Sequence, residues 1–159
     1  MPKAVVLCGK IASGKTVYAK KLAEQLDAVT LSVDDVVLSL FDECLGAKTA
    51  EIETKAIVYL LGLSLDILAK DISVVLDFGH GRKSDRVRIL DFYCEHNIPC
   101  ELHYLDVADD VRRNRLHHRN KLYQSINDGR RRYIISDDML KKFDAAFEIP
   151  DENEIDVFV

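Results

Sequence analysis

Apolar residues in this chain come in short continuous runs, and the stretches between them carry apolar positions at helical spacing. Ala4 to Cys8 is one such run, with the length and composition of a buried strand. Ala19, Leu22, Ala23 and Leu26 follow at the spacing of one helix face. The two patterns then recur. Val29 to Val33 predicts a second strand, and Val36, Val37, Leu40 and Phe41 predict a short helix from Asp35 to about Cys44, closed by Gly46. Thr49 is placed to cap a longer helix to about Lys70, with Glu51 and Glu53 in the first turn, where the helix dipole favours them. Ile52, Ala56, Leu60, Leu63 and Ile67 form its buried stripe.

Ile72 to Leu76 is a third strand, followed by a helix from Ser84 to His96 that Asn97-Ile98-Pro99 breaks. Glu101 to Val107 is a fourth strand, and Asp109 to Arg119 a further helix. Asn127-Asp128-Gly129 signals a turn, Ser136 caps a last helix to about Phe147, and Ile155 to Val159 suits an edge strand. Strands alternating with helices imply an α/β fold, a mostly parallel sheet with helices on both faces. No repeat or linker divides residues 1–159, so a single domain is expected. Ligands in such sheets bind beyond the carboxyl ends of the strands, which directs attention to the loops starting at Gly9, Asp34, Asp77 and Asp106.

The first of these loops carries the strongest chemical signal. Gly9-Lys10-Ile11-Ala12-Ser13-Gly14-Lys15-Thr16 satisfies G-x-x-x-x-G-K-[ST], and it lies between a strand and a helix as that motif requires. Gly9 and Gly14 permit backbone conformations in which several N–H groups converge on a β-phosphate at a helix N-terminus. Lys15 is placed to reach β- and γ-phosphate oxygens, and the Thr16 hydroxyl to ligate Mg²⁺. ATP and Mg²⁺ are therefore the expected ligands. Asn120-Lys121 continues with Leu122-Tyr123, so it lacks the acidic residue of an N-K-x-D guanine reader.

Three further loops would converge on that phosphate. Asp34 follows the second strand at the edge where a γ-phosphate would lie, a position for a general base towards a hydroxyl, with Asp35 as helix cap or substrate contact. Asp77 ends an apolar run, as a second Mg²⁺ holder does. Gly79 and Gly81 leave the backbone beside it flexible, and Arg82 and Arg86 bring positive charge to the substrate side, whereas Lys83 reads as a solvated charge. Arg112, Arg113, Arg115, Arg119, Lys121 and Arg130 to Arg132 form the densest basic cluster. Arg115 and Arg119 share one helix face and could clamp a transferring phosphoryl group. The competing reading is a nucleic-acid patch, but no aromatic residues interleave with the cluster except Tyr123 and Tyr133, which favours the clamp.

Bulk properties narrow the classes. The 159 residues are 48% hydrophobic and 31% charged, an ordinary globular balance, and a net charge of −5 disfavours non-specific coating of nucleic acid. No apolar run approaches the length of a membrane span, and Met1-Pro2-Lys3 enters the first strand directly, so no signal peptide is expected. Cys8, Cys44, Cys94 and Cys100 are widely spaced without a C-x-x-C pair, which fits reduced, mostly buried thiols in a cytoplasmic protein better than a zinc site.

Gly9–Thr16, Ser32-Val33-Asp34-Asp35, Val74-Val75-Leu76-Asp77-Phe78-Gly79 and Arg115-Leu116-His117-His118-Arg119 together resemble a small P-loop kinase group. That group includes chloramphenicol phosphotransferase, zeta toxins and the kinase domain of polynucleotide kinases. Phe147-Glu148-Ile149-Pro150 is similar to its adenine-side segment. The resemblance implies a P-loop NTPase fold with a five-stranded parallel sheet and an arginine-bearing lid. It also implies Asp34 as base and Arg115 and Arg119 as lid residues, while His80-Gly81 depart from the group's usual residues. The expected activity is ATP- and Mg²⁺-dependent phosphorylation of a small-molecule hydroxyl. The alternatives are a nucleic-acid 5′-hydroxyl kinase and a regulatory ATPase without a small-molecule acceptor.

Overall fold

β1 (Ala4–Cys8) is the middle strand of the sheet, and each of its five residues is fully buried. The computed structural model describes residues 1–41, 45–79, 81–130 and 132–159, so Cys44, His80 and Arg131 lie outside the described residues. In chain order β1 is followed by α1 (Lys15–Leu26), β2 (Val29–Ser32), α2 (Val33–Leu40), α3 (Thr49–Leu68), β3 (Val74–Asp77) and α4 (Lys83–Glu95). Then come β4 (Cys100–Tyr104), α5 (Asp109–Ser125), α6 (Asp137–Ala146) and β5 (Val157–Phe158). The strands form one five-stranded sheet in the order β2-β3-β1-β4-β5, and every neighbouring pair is parallel.

The alternation of β1 sorts the core into two layers, because successive side chains of a strand point to opposite faces. Val5 and Leu7, with Val75 of β3, pack against Ala19, Leu22 and Ala23 of α1. Ala4, Val6 and Cys8 join Val74, Leu76, Leu102 and Tyr104 on the other face, under Leu60, Leu61 and Leu68 of α3 and Ile89 and Tyr93 of α4. Within that layer the Tyr93 and Ser64 hydroxyls hydrogen-bond at 2.7 Å, and Ser64 Oγ also donates to Leu61 O, so neither buried hydroxyl is orphaned.

Several boundaries differ from the sequence expectation, and capping chemistry explains the informative one. Ser32, rather than Asp35, caps α2: its Oγ accepts from Asp35 N at 3.2 Å, and the helix starts at Val33. A hydroxyl at the strand end thereby releases both aspartates into the first helical turn, where the dipole favours them. α2 ends at Leu40, and Gly46 opens a 3₁₀ turn instead of closing a helix. Thr49 is the first residue of α3 and donates to Gly46 O, so it steadies that turn rather than capping the helix through an N–H. α5 runs six residues beyond the expected Arg119, to Ser125, whereas Ser136 caps α6 as expected, accepting from Met139 N at 3.3 Å. Of the described cysteines Cys8 is buried, Cys100 half-buried and Cys94 exposed. Burial pushes the Cys100 thiol up to about 12, which leaves it inert.

Candidate active site

Parallel pairing brings the expected loops to one edge. Ser32 is in register with Asp77, and Val6 with Leu76, so β1, β3 and β2 end side by side. The loop from Gly9 to Gly14 leaves β1 and enters α1 through Gly14, whose φ of 96° is left-handed. Ala12 also takes a left-handed conformation, φ 61°, which a residue with a Cβ adopts only when its surroundings hold it there. A Cβ on Gly9 would lie 2.7 Å from Ser13 Oγ and 2.9 Å from Leu105 O, so glycine is required there by space.

Four of the loop's carbonyl groups accept hydrogen bonds from named donors. Lys15 Nζ donates to Gly9 O at 2.7 Å and Lys10 O at 3.0 Å, and Ser13 N also donates to Lys10 O. Arg112 Nη1 donates to Ile11 O at 2.9 Å, and Arg115 Nη1 to Ser13 O at 3.2 Å. Thr16 Oγ1 donates to Asp77 Oδ2 at 2.6 Å. A hydroxyl and a carboxylate side by side are hard oxygen donors of the kind Mg²⁺ takes, so these residues fit that ion.

Electrostatics ties Asp34 to the same place. Its side chain opens to solvent, yet its carboxyl is raised above the ordinary carboxylate range, first by desolvation and then by the charge of Asp77, with Lys15 and Arg119 acting in the opposite direction. Lys15 is lowered from the usual lysine value by desolvation, against the pull of Asp77 and Asp34. Glu53, in α3, is raised by burial and by Asp34. Lys15, Asp34, Asp77 and Arg119 thus form one interacting cluster beside the loop. Arg119 Nε is buried without a hydrogen-bond partner, and its guanidinium lies 5.8 Å from the Tyr123 ring.

The remaining candidates divide. Asp35 and Arg82 are exposed, and Gly79 has a left-handed φ of 70° with open space around it. Arg86, expected on the substrate side, is instead inside the molecule, 1% exposed. Its Nη2 and Nε donate to Glu154 Oε2 at 2.9 and 3.2 Å, and its Nη1 donates to Glu148 O. A buried guanidinium needs a carboxylate, and Glu154 supplies it. Lys83, expected to be solvated, bridges Asp151 and Glu154 at the surface. The Phe147–Pro150 run lies against Gly81 and α4, where Glu148 N donates to Gly81 O and Phe147 Cδ2 stands 3.3 Å from where a Gly81 Cβ would be.

Arg112 was visible only as a member of the basic cluster. It is fully buried, and beyond Ile11 O it donates to both carboxylate oxygens of Asp144 at 3.1 and 2.9 Å. One signal for it exists in the sequence: positions 112, 115 and 119 share one helix face.

Sheet order, loop and the Thr16–Asp77 contact define a P-loop NTPase fold. The chain belongs to a family of that fold: residues 5–145 match the model of the family described as AAA domain. No curated protein matches the sequence. Among solved structures, a candidate kinase from Chloroflexus aurantiacus superposes with a TM-score of 0.75 at 18% identity, covering 99% of this chain and 84% of that one. Chaetomium thermophilum Kti12 in complex with ADP-AlF3 gives 0.71 at 16% identity, with 98% and 88% covered. A gluconokinase from Sinorhizobium meliloti gives 0.64 at 17%, with 99% and 82% covered. At these identities the likeness establishes the fold.

Proposed function

We propose that this protein transfers the γ-phosphoryl group of ATP to a hydroxyl of a small molecule. The observation that carries the reading is the meeting of Lys15, Asp34, Asp77 and Arg119 at one end of the phosphate loop. Thr16 and Asp77 would hold Mg²⁺, which neutralises charge on the β- and γ-phosphates when bound. Lys15 would exchange its two carbonyl acceptors for phosphate oxygens, a stronger, charge-assisted pairing. Asp34 would accept the acceptor's hydroxyl proton, and its raised carboxyl makes it a better base than an ordinary aspartate. Arg119, with no acceptor on its Nε, would pair with charge developing on the transferred group.

Gluconokinase and kinase names among the structural neighbours support a phosphotransferase, and the ADP-AlF3 bound by Kti12 supports a nucleotide at this loop. The basic stretch is a weaker case for nucleic acid than its sequence suggests. Arg112 and Arg115 turn inward to the loop, and Arg132 pairs with Asp128 at 2.7 Å. The test is ADP release measured across hydroxyl-bearing metabolites and antibiotics, with the mass gain of the acceptor as second readout. Lys15→Ala is expected to abolish both. Turnover only with a 5′-hydroxyl oligonucleotide would replace the acceptor class with nucleic acid. ADP release that no acceptor accelerates would replace transfer with regulatory hydrolysis.

A further inference from the structure

The Gly9–Thr16 loop is braced by a fully buried side chain of α5. We propose that Arg112 is a positioning residue of the loop, fixing the direction of the Ile11–Ala12 peptide from within the protein; the proposal rests on the loop's being a nucleotide site. A trans peptide is planar, so its C=O and N–H point in opposite directions. With Arg112 Nη1 holding Ile11 O, the Ala12 N–H is directed away from α5. Arg115, one turn later, does the same for the Ser13–Gly14 peptide through Ser13 O.

Arg112 itself has no freedom. Asp144 of α6 takes one hydrogen bond from each Nη, and Asp109 Oδ1 takes another from Nη2. Four guanidinium donations thus go to three acceptor groups in a fully buried setting. Around this node Leu116, Ile135 and Leu140 form a small core against which Ile11 and Ala12 pack. The left-handed Ala12, disfavoured by its Cβ, sits where apolar packing and the Arg112 hydrogen bond converge. α6 thereby acts on the phosphate loop through Asp144 and Arg112, although no α6 residue bonds the loop among the hydrogen bonds described above.

The fork geometry is what distinguishes positioning from simple charge. Arg112→Lys keeps a cation and a long stem but cannot span Ile11 O and both Asp144 oxygens. In the full chain its ADP affinity, by titration calorimetry, is expected to fall about 10–100-fold, the usual range for losing a partner that orients a binding group. In proton–nitrogen amide spectra of the ligand-free protein, the displaced signals are expected to cluster at residues 9–16 while the strands keep theirs. Asp144→Asn, which keeps the volume and one acceptor, is expected to show a smaller loss with the same pattern, and it decides the matter if Arg112→Lys does not fold. ADP affinity unchanged in the folded variants would overturn the proposal. So would amide changes spread through the sheet in step with a lower melting temperature, because Arg112 would then be structural only. A wild type that binds no ADP would refute the nucleotide reading instead, and the ligand-free spectra would still judge Arg112.

Discussion

Replacing Gly9 by alanine isolates space from backbone conformation. Gly9 is not among the residues with positive φ, so alanine suffers no torsional penalty, and any effect comes from where its methyl goes. That methyl would meet Ser13 Oγ at 2.7 Å, Leu105 O at 2.9 Å and Leu105 Cβ at 3.2 Å. The Ser13 hydroxyl is buried without a hydrogen-bond partner, so it can turn aside with little loss. Leu105 cannot, because its N donates to Cys8 O at 2.8 Å and ties the end of β4 to β1. Overpacking of this kind costs about 1–3 kcal/mol. In a chain of this size each kcal/mol lowers the melting temperature by about 2–4 °C, so a fall of roughly 2–12 °C is expected by calorimetry. Adding Ser13→Ala should recover only a minor part of it, since the backbone contact stays. A Gly9→Ala protein melting with the wild type, or full recovery in the double variant, would refute the reasoning.

Two other perturbations test the site. Asp34→Asn should retain ADP binding and lose acceptor phosphorylation by about 10²–10⁴-fold, with the acidic limb of the wild-type pH profile lying above the ordinary carboxylate range and vanishing in the variant. The folded-state proton affinity of Asp34 exceeds its unfolded value, so its contribution to stability is favourable below the unfolded pKa and is lost as pH rises through the folded one. The ligand-free Asn variant should therefore melt higher than wild type at neutral pH and equal to it in acid; the reverse order would reject the assignment. Arg86→Met leaves Glu154, 14% exposed, without its guanidinium. Lys83 still stands 3.3 Å from the Glu154 carboxylate, so the loss is expected to fall short of the roughly 3–5 kcal/mol of an uncompensated buried charge, with the KM for acceptor unchanged in protein that remains folded; a raised KM without destabilisation would restore Arg86 to the substrate side.

What the sequence determined by itself is what short-range chemistry controls. The Gly9–Thr16 loop, the alternation of strand and helix, the cap at Ser136 and the placing of Asp77 at the end of β3 and Asp34 just beyond β2 all follow from residue type and local spacing. The cap of α2 was equally local, but Ser32 competed with two aspartates for it, and only the backbone path chose the hydroxyl. The arginines were decided elsewhere. Arg86 meets Glu154 across 68 positions, and Arg112 meets Ile11 across 101, so neither partner is visible from local pattern. Both look like surface charges on amphipathic helices. Folding instead buries them, because the parallel sheet brings the C-terminal segment against α4 and lays α5 over the phosphate loop, and a buried guanidinium must take the carboxylates and carbonyls it finds there. The motif marks where phosphate is expected to bind; the tertiary structure decides which arginines hold the loop and leaves Arg119 within electrostatic range of Asp34.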